Sequence, residues 1–142
     1  MRRNLLVLAL ALAVTHPAFC ADNNIKIRLR IENRVLTATL IDSTTARDFI
    51  SLLPLTLTMD DLFRREKYGP LPRALSKGER THSYKIGDIG YWSPGPDVAI
   101  YYRNDGEQIP DPGIILIGKI DSGIEAFNVA GSVKVTIEPA GQ

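Results

Sequence analysis

The sequence predicts a mainly β domain, a small closed barrel carrying two short helices. Three observations lead there. Apolar and polar residues alternate with a period of two in several short runs. Turn-forming clusters separate those runs. About seven strands in so short a chain leave sheet edges that closure would remove. With 142 residues, 44% hydrophobic and 23% charged, the chain has the size and make-up of one ordinary globular domain.

The first twenty residues read as a separate segment. Arg2 and Arg3 precede a ten-residue apolar run, Leu5–Val14, and small residues follow at Ala18, Cys20 and Ala21. A positive start, a short apolar stretch and small residues at an exit site are the parts of a secretory signal. A membrane span needs about 20 apolar residues, so this run is too short. The expected cut follows Cys20. Cleavage before Cys20, which would leave it as a lipid anchor, ranks second because bulky Phe19 precedes it. Removing residues 1–20 leaves 122 residues, with 15 basic against 16 acidic side chains and no cysteine. That composition suits an exported, periplasmic or secreted protein, and the near-neutral charge argues against a nucleic-acid partner.

The expected domain spans residues 25–138. Ile25, Ile27, Leu29 and Ile31 alternate with Lys26, Arg28, Arg30 and Glu32, and Glu32-Asn33 turns the chain into Arg34–Ile41, a second strand rich in β-branched and apolar residues. Ser43 or Thr44 opens a helix whose apolar face is Ala46, Phe49, Ile50 and Leu53, stopped by Pro54. Leu55, Leu57 and Met59 alternate as a third strand. Asp61–Tyr84 is the least regular stretch and is expected to be loops with one or two short strands; Arg64 and Arg65 are expected on a solvated loop. Ile89 and Tyr91 share one strand face with Trp92 on the other. Pro94-Gly95-Pro96-Asp97 turns the chain into Val98–Arg103, completing a second hairpin. Ile114–Ile120 is nearly continuously apolar, as in a strand buried on both faces. Ser122 and Glu125 have capping-box spacing for a short helix to about Asn128, with Asp121 and Glu125 as helix N-terminal charges. Val133, Val135 and Ile137 alternate as the last strand.

Three stretches resemble the bacterial cyclophilin-like domain proteins: ARDFISLLPLTLTMDDL (Ala46–Leu62), GDIGYWSPGPDVAIYY (Gly87–Tyr102) and IGKIDSGIEAF (Ile117–Phe127). The resemblance runs in order from about Ile25 to Glu138. It implies a cyclophilin-like barrel capped by helices. True cyclophilins isomerise X–Pro bonds and resemble one another around an arginine followed by Phe-Met-x-Gln, with further aromatics and a histidine. Phe63-Arg64-Arg65 echoes the arginine region, but no Phe-Met-x-Gln follows, and the only glutamines are Gln108 and Gln142. The resemblance therefore implies the barrel without the isomerase site, and a shared fold does not transfer function.

Few residues suggest chemistry. His82 is the one histidine beyond the leader, where His16 lies, and a surface-loop position is expected for it. One histidine and no cysteine do not make a metal site, and no phosphate-cradling glycine motif occurs; no cofactor and no catalytic residue are assigned. The candidate ligand-binding residues are Tyr91, Trp92, Tyr101, Tyr102 and Arg103. Aromatics on neighbouring strands beside a guanidinium suit an extended or proline-containing peptide, though aromatics are also ordinary barrel filling. Arg64 and Arg65 are a second candidate, for an acidic partner. The expectation is an exported, non-catalytic binding module for a peptide, a small ligand or another envelope protein. The alternative is a weak peptidyl-prolyl isomerase with a non-standard site.

Overall fold

The computed structural model describes residues 13–15, 17 and 24–141. The predicted signal segment and Cys20 lie largely or wholly outside the described residues. Eight antiparallel strands close into a barrel: β1 (Ile25–Ile31), β2 (Arg34–Leu40), β3 (Leu55–Leu62), β4 (Glu66–Pro70), β5 (Asp88–Trp92), β6 (Asp97–Tyr101), β7 (Ile115–Ile120) and β8 (Val133–Pro139). Their order around the barrel is β1-β2-β7-β5-β6-β4-β3-β8. One helix, α1 (Thr44–Ile50), and one 3-10 turn (Ile124–Phe127) complete the fold. Among the described residues no helix is long and apolar enough to cross a membrane.

Period-two patterning sorts the side chains. In β1, Ile27, Leu29 and Ile31 face the interior, while Arg28 and Arg30 lie outside within reach of Glu138 on neighbouring β8. The same parity puts Ile89 and Tyr91 of β5, and Val98 and Ile100 of β6, inside the barrel. Phe49 of α1 is fully buried against that interior. Ser43 caps α1, its hydroxyl accepting from the Ala46 N–H at 3.1 Å.

Four expectations need correction. Helix α1 ends at Ile50 with Ser51 as its cap, three residues before Pro54. Tighter turns carry the chain on to Pro54, the Leu52 and Leu53 N–H groups donating to the Phe49 and Ile50 carbonyls, both at 3.0 Å. The capping box at Ser122 does not form. Gly123, at φ 83°, takes the cap position without a side-chain bond; Asp121 instead accepts from Thr39 and Lys26, and Glu125 from Arg34. These contacts take Asp121 out of a helix-terminal role, whereas Glu125 sits in the first turn of the 3-10 element as expected. The barrel has eight strands rather than about seven, and β4 is one of the short strands expected within Asp61–Tyr84. Arg65 is buried rather than solvated, held by Glu66.

The remaining irregular segment is tied down by specific bonds. Leu75 N–H donates to the Tyr91 hydroxyl at 3.0 Å, and Thr45 Oγ1 donates to the Ser76 carbonyl at 2.8 Å. Thr81 and Ile114 bridge across to the start of β7.

A second apolar cluster lies on the outer face of the barrel. It contains Tyr84, Ala99, Tyr101, Ile109 and Ile114, with Tyr68, Trp92 and Leu116 against it. Gly90 permits it: a Cβ there would come within 2.4 Å of Ile114 Cγ1, so any larger residue would have to displace the Ile114 side chain.

Candidate functional site

Strands β4, β6 and β5 lie side by side, and their outward residues form one patch. Glu66 pairs with Tyr101, Tyr68 with Ala99, and Trp92 with Asp97. Leu62 and Phe63 border the patch from the β3–β4 turn, and Pro110 from the loop before β7. Together they enclose a cavity of about 160 Å³ lined by Leu62, Phe63, Arg65, Glu66, Tyr68, Trp92, Asp97, Ala99, Tyr101 and Pro110.

The β3–β4 turn is unusual for its residues. The Arg65 N–H donates to the Leu62 carbonyl at 3.1 Å, closing a tight turn within a three-residue hairpin loop, since Leu62 pairs with Glu66. Its central residues are Phe63 (φ 56°) and Arg64 (φ 52°). Such a turn favours Asn-Gly, and a bulky side chain at positive φ is disfavoured. Phe63 is also 70% exposed. A strained, exposed aromatic at a cavity rim is where a functional constraint is expected.

The cavity wall contains an ion pair. Arg65 Nε and Nη2 donate to Glu66 Oε2 at 3.0 and 2.9 Å, and Asp105 approaches Arg65 Nη1 at 3.7 Å. The guanidinium also lies 5.4 Å from the Tyr84 ring centre and 5.5 Å from that of Phe63. Tyr84 stacks on Tyr101 with ring centres 4.3 Å apart. Burial pushes the Glu66 carboxyl above its ordinary pKa, and Arg65 only partly offsets that. Asp97 is likewise raised, by burial alone.

The five aromatic-strand candidates divide between the two faces. Trp92 and Tyr101 line the outer cavity. Tyr91 is 1% exposed inside the barrel. Tyr102 is buried with the inner cluster, where its hydroxyl donates to Asp61, and burial pushes its pKa up to about 12. Arg103 is exposed and is not part of the cavity lining. Strand parity explains the division, because consecutive residues point to opposite faces. The sequence reading missed Phe63, Glu66, Tyr68, Asp97 and Pro110. The available signal was that same parity, which groups Trp92 with Asp97, Ala99 and Tyr101 across the hairpin.

The other side of the β3–β4 hairpin carries a different arrangement. Lys67 is fully buried, and its ammonium donates to Asp61 Oδ1 at 2.9 Å and to the Val129 and Gly131 carbonyls at 2.6 and 2.7 Å. Three acceptors match its three protons. Burial opposes the Asp61 charge, but bonds from Tyr102, Lys67 and the Arg64 N–H together hold its pKa below the ordinary value. His82 lies on a loop, its Nδ1 2.7 Å from the Ile109 carbonyl oxygen.

Residues 29–138 match the model of the cyclophilin-like family. The chain belongs to that family. A hypothetical protein of Archaeoglobus fulgidus, known from a solution structure, has the same fold as this cyclophilin-like chain. It is 24% identical, covers 82% of this chain and 95% of its own, and superposes with a TM-score of 0.65. No curated protein matches the chain.

Proposed function

We propose that this cyclophilin-like domain is an exported binding module that holds part of a peptide or a small ligand in its outer-face cavity. The observation that carries this reading is the cavity itself. Phe63, Tyr68, Trp92 and Tyr101 converge there with a buried ion pair, the mix of apolar wall and few polar groups that ligand sites use. Export rests on the leader: Arg2, Arg3 and the apolar run before Cys20.

Isomerase activity is expected to be little or none. Rotation about an X–Pro bond is accelerated by donors that bind the twisted amide more strongly than the planar one. The guanidinium at this cavity, Arg65, already gives two donors to Glu66. The alternative of a weak isomerase draws on that same guanidinium beside aromatic walls.

Three measurements test the reading. Amide chemical-shift mapping with a panel of short peptides should move Phe63–Tyr68, Trp92 and Asp97–Tyr101 together. Shifts confined to Tyr91, Tyr102 and Arg103 would place binding elsewhere. In an isomerisation assay on an Ala-Pro peptide the rate should stay near background. A rate near that of a true cyclophilin, lost in Arg65→Ala, would establish the enzyme instead. N-terminal sequencing of the exported form should begin at Ala21 or Asp22, and a lipid on Cys20 would favour anchoring.

A further inference from the structure

Asp97 is the one cavity-lining carboxylate that the fold does not neutralise. Glu66 faces Arg65, and Asp105 also approaches that guanidinium. Asp97 has no hydrogen-bond donor or cation against its side chain among the described residues. Its position is nevertheless well determined. The Gly95 N–H donates to the Trp92 carbonyl at 3.4 Å, and the Leu71 N–H to the Pro96 carbonyl at 2.9 Å, which anchors the β5–β6 turn. The carboxylate lies over Gly95, where a Cβ would stand 1.7 Å from Asp97 Oδ2. No other residue leaves room for it.

Glu66 and Asp105 thus take up the Arg65 guanidinium, and the Asp97 carboxylate is left over in a lining that also holds Trp92 and Tyr101. Ring faces attract cations through their quadrupoles, and a partly buried carboxylate without a partner favours a positive ligand. We propose that the cavity takes an organic ammonium group, with Asp97 as its counter-ion and Trp92 and Tyr101 as its aromatic wall. This deepens the binding reading above and rests on it. A volume of about 160 Å³ is below the roughly 300–1,000 Å³ of drug-sized sites, so the group is a compact head on a ligand that continues outside. A methylated ammonium and a lysine-type alkylammonium share this chemistry.

Trp92 is the only tryptophan in the chain, so its fluorescence reports on the cavity. The experiment titrates the protein with choline, with n-butylammonium, and with 3,3-dimethylbutan-1-ol, the neutral carbon analogue of choline, at constant ionic strength set by sodium chloride. At least one ammonium compound should bind ten times or more tighter than the neutral analogue. Which of the two binds better separates the methylated from the lysine-type head. In Asp97→Asn the preference should shrink to within twofold, with the far-ultraviolet circular dichroism unchanged. Equal binding of choline and its neutral analogue to the wild-type protein would overturn the ammonium assignment and leave the apolar binding site standing. No response to either cation beyond the sodium chloride control would overturn it too, whether or not peptides move the cavity amides. The wild-type comparison decides the matter even if Asp97→Asn does not fold.

Discussion

The two faces of the β3–β4 hairpin handle buried charge in opposite ways. On one, Lys67 is fully enclosed and each of its protons has an acceptor, with Asp61 in turn bonded by Tyr102 and the Arg64 N–H. On the other, Arg65 and Glu66 neutralise each other while Asp97 faces a cavity without a partner. The adjacent residues Glu66 and Lys67 point to these different sides because strand side chains alternate. The first arrangement ties the loop before β8 to the barrel. The second leaves space and charge uncommitted, which is what a binding site needs and a stabilising core does not.

The comparison predicts a gradient of stability effects. Phe49 fills the barrel interior, so Phe49→Ala should cost about 3–5 kcal/mol in urea unfolding. A loss below about 1 kcal/mol would mean the interior is not the tightly packed side. Lys67→Met should cost a comparable amount, about 3–5 kcal/mol, because Asp61 keeps its charge without its partner. A smaller loss with retained fold would show that the enclosed ammonium is dispensable. Phe63→Asn combined with Arg64→Gly should act in the opposite direction. It relieves two positive-φ side chains and should stabilise by about 1–2 kcal/mol, while weakening any ligand held at the rim. Destabilisation would show that the Phe63 ring contributes packing rather than recognition.

Stability against pH sharpens the contrast further. Asp61 is held below its ordinary pKa. Its contribution is present above the unfolded value of about 3.9 and lost as pH falls through the lower folded value. Asp97 is held above its ordinary pKa. In the window between the ordinary and folded values the folded chain keeps a proton that the unfolded chain has released, so stability falls as pH rises there. Asp61→Asn should therefore flatten acid unfolding, whereas Asp97→Asn should remove a small loss on going from acid to neutral pH. Urea midpoints measured from pH 3 to pH 7 check both; slopes of the same sign for the two sites would break the distinction.

The parts legible in sequence were those where polarity follows parity. Ile27, Leu29 and Ile31, or Val98 and Ile100, announce a buried face by alternation alone. Strand β4 was expected only as a short strand without bounds within Asp61–Tyr84, because in Glu66–Pro70 a lysine points into the core and a proline ends the strand. Its charge is tolerable only through Asp61 and two carbonyls brought from distant segments. The candidate site was half legible. Trp92 and Tyr101 carry a size and chemistry that single them out, but the candidate set joined them to Tyr91 and Tyr102, which the alternation along each strand sends to the inner face. Arg65 looked solvated because its partners, Glu66 apart, come from Tyr84 and Asp105, which only the folded loops bring near.

The most direct test of the central claim is the stability of Asp97→Asn at pH 7. If the outer face keeps an uncommitted carboxylate for a ligand, the variant should be as stable as the wild type within about 0.5 kcal/mol, or more stable. Its urea midpoint should equal or exceed that of the unsubstituted protein. A loss of more than about 1 kcal/mol, the usual cost of removing a buried group that has a partner, would show that Asp97 belongs to the structural framework and that the two faces of the hairpin are alike after all.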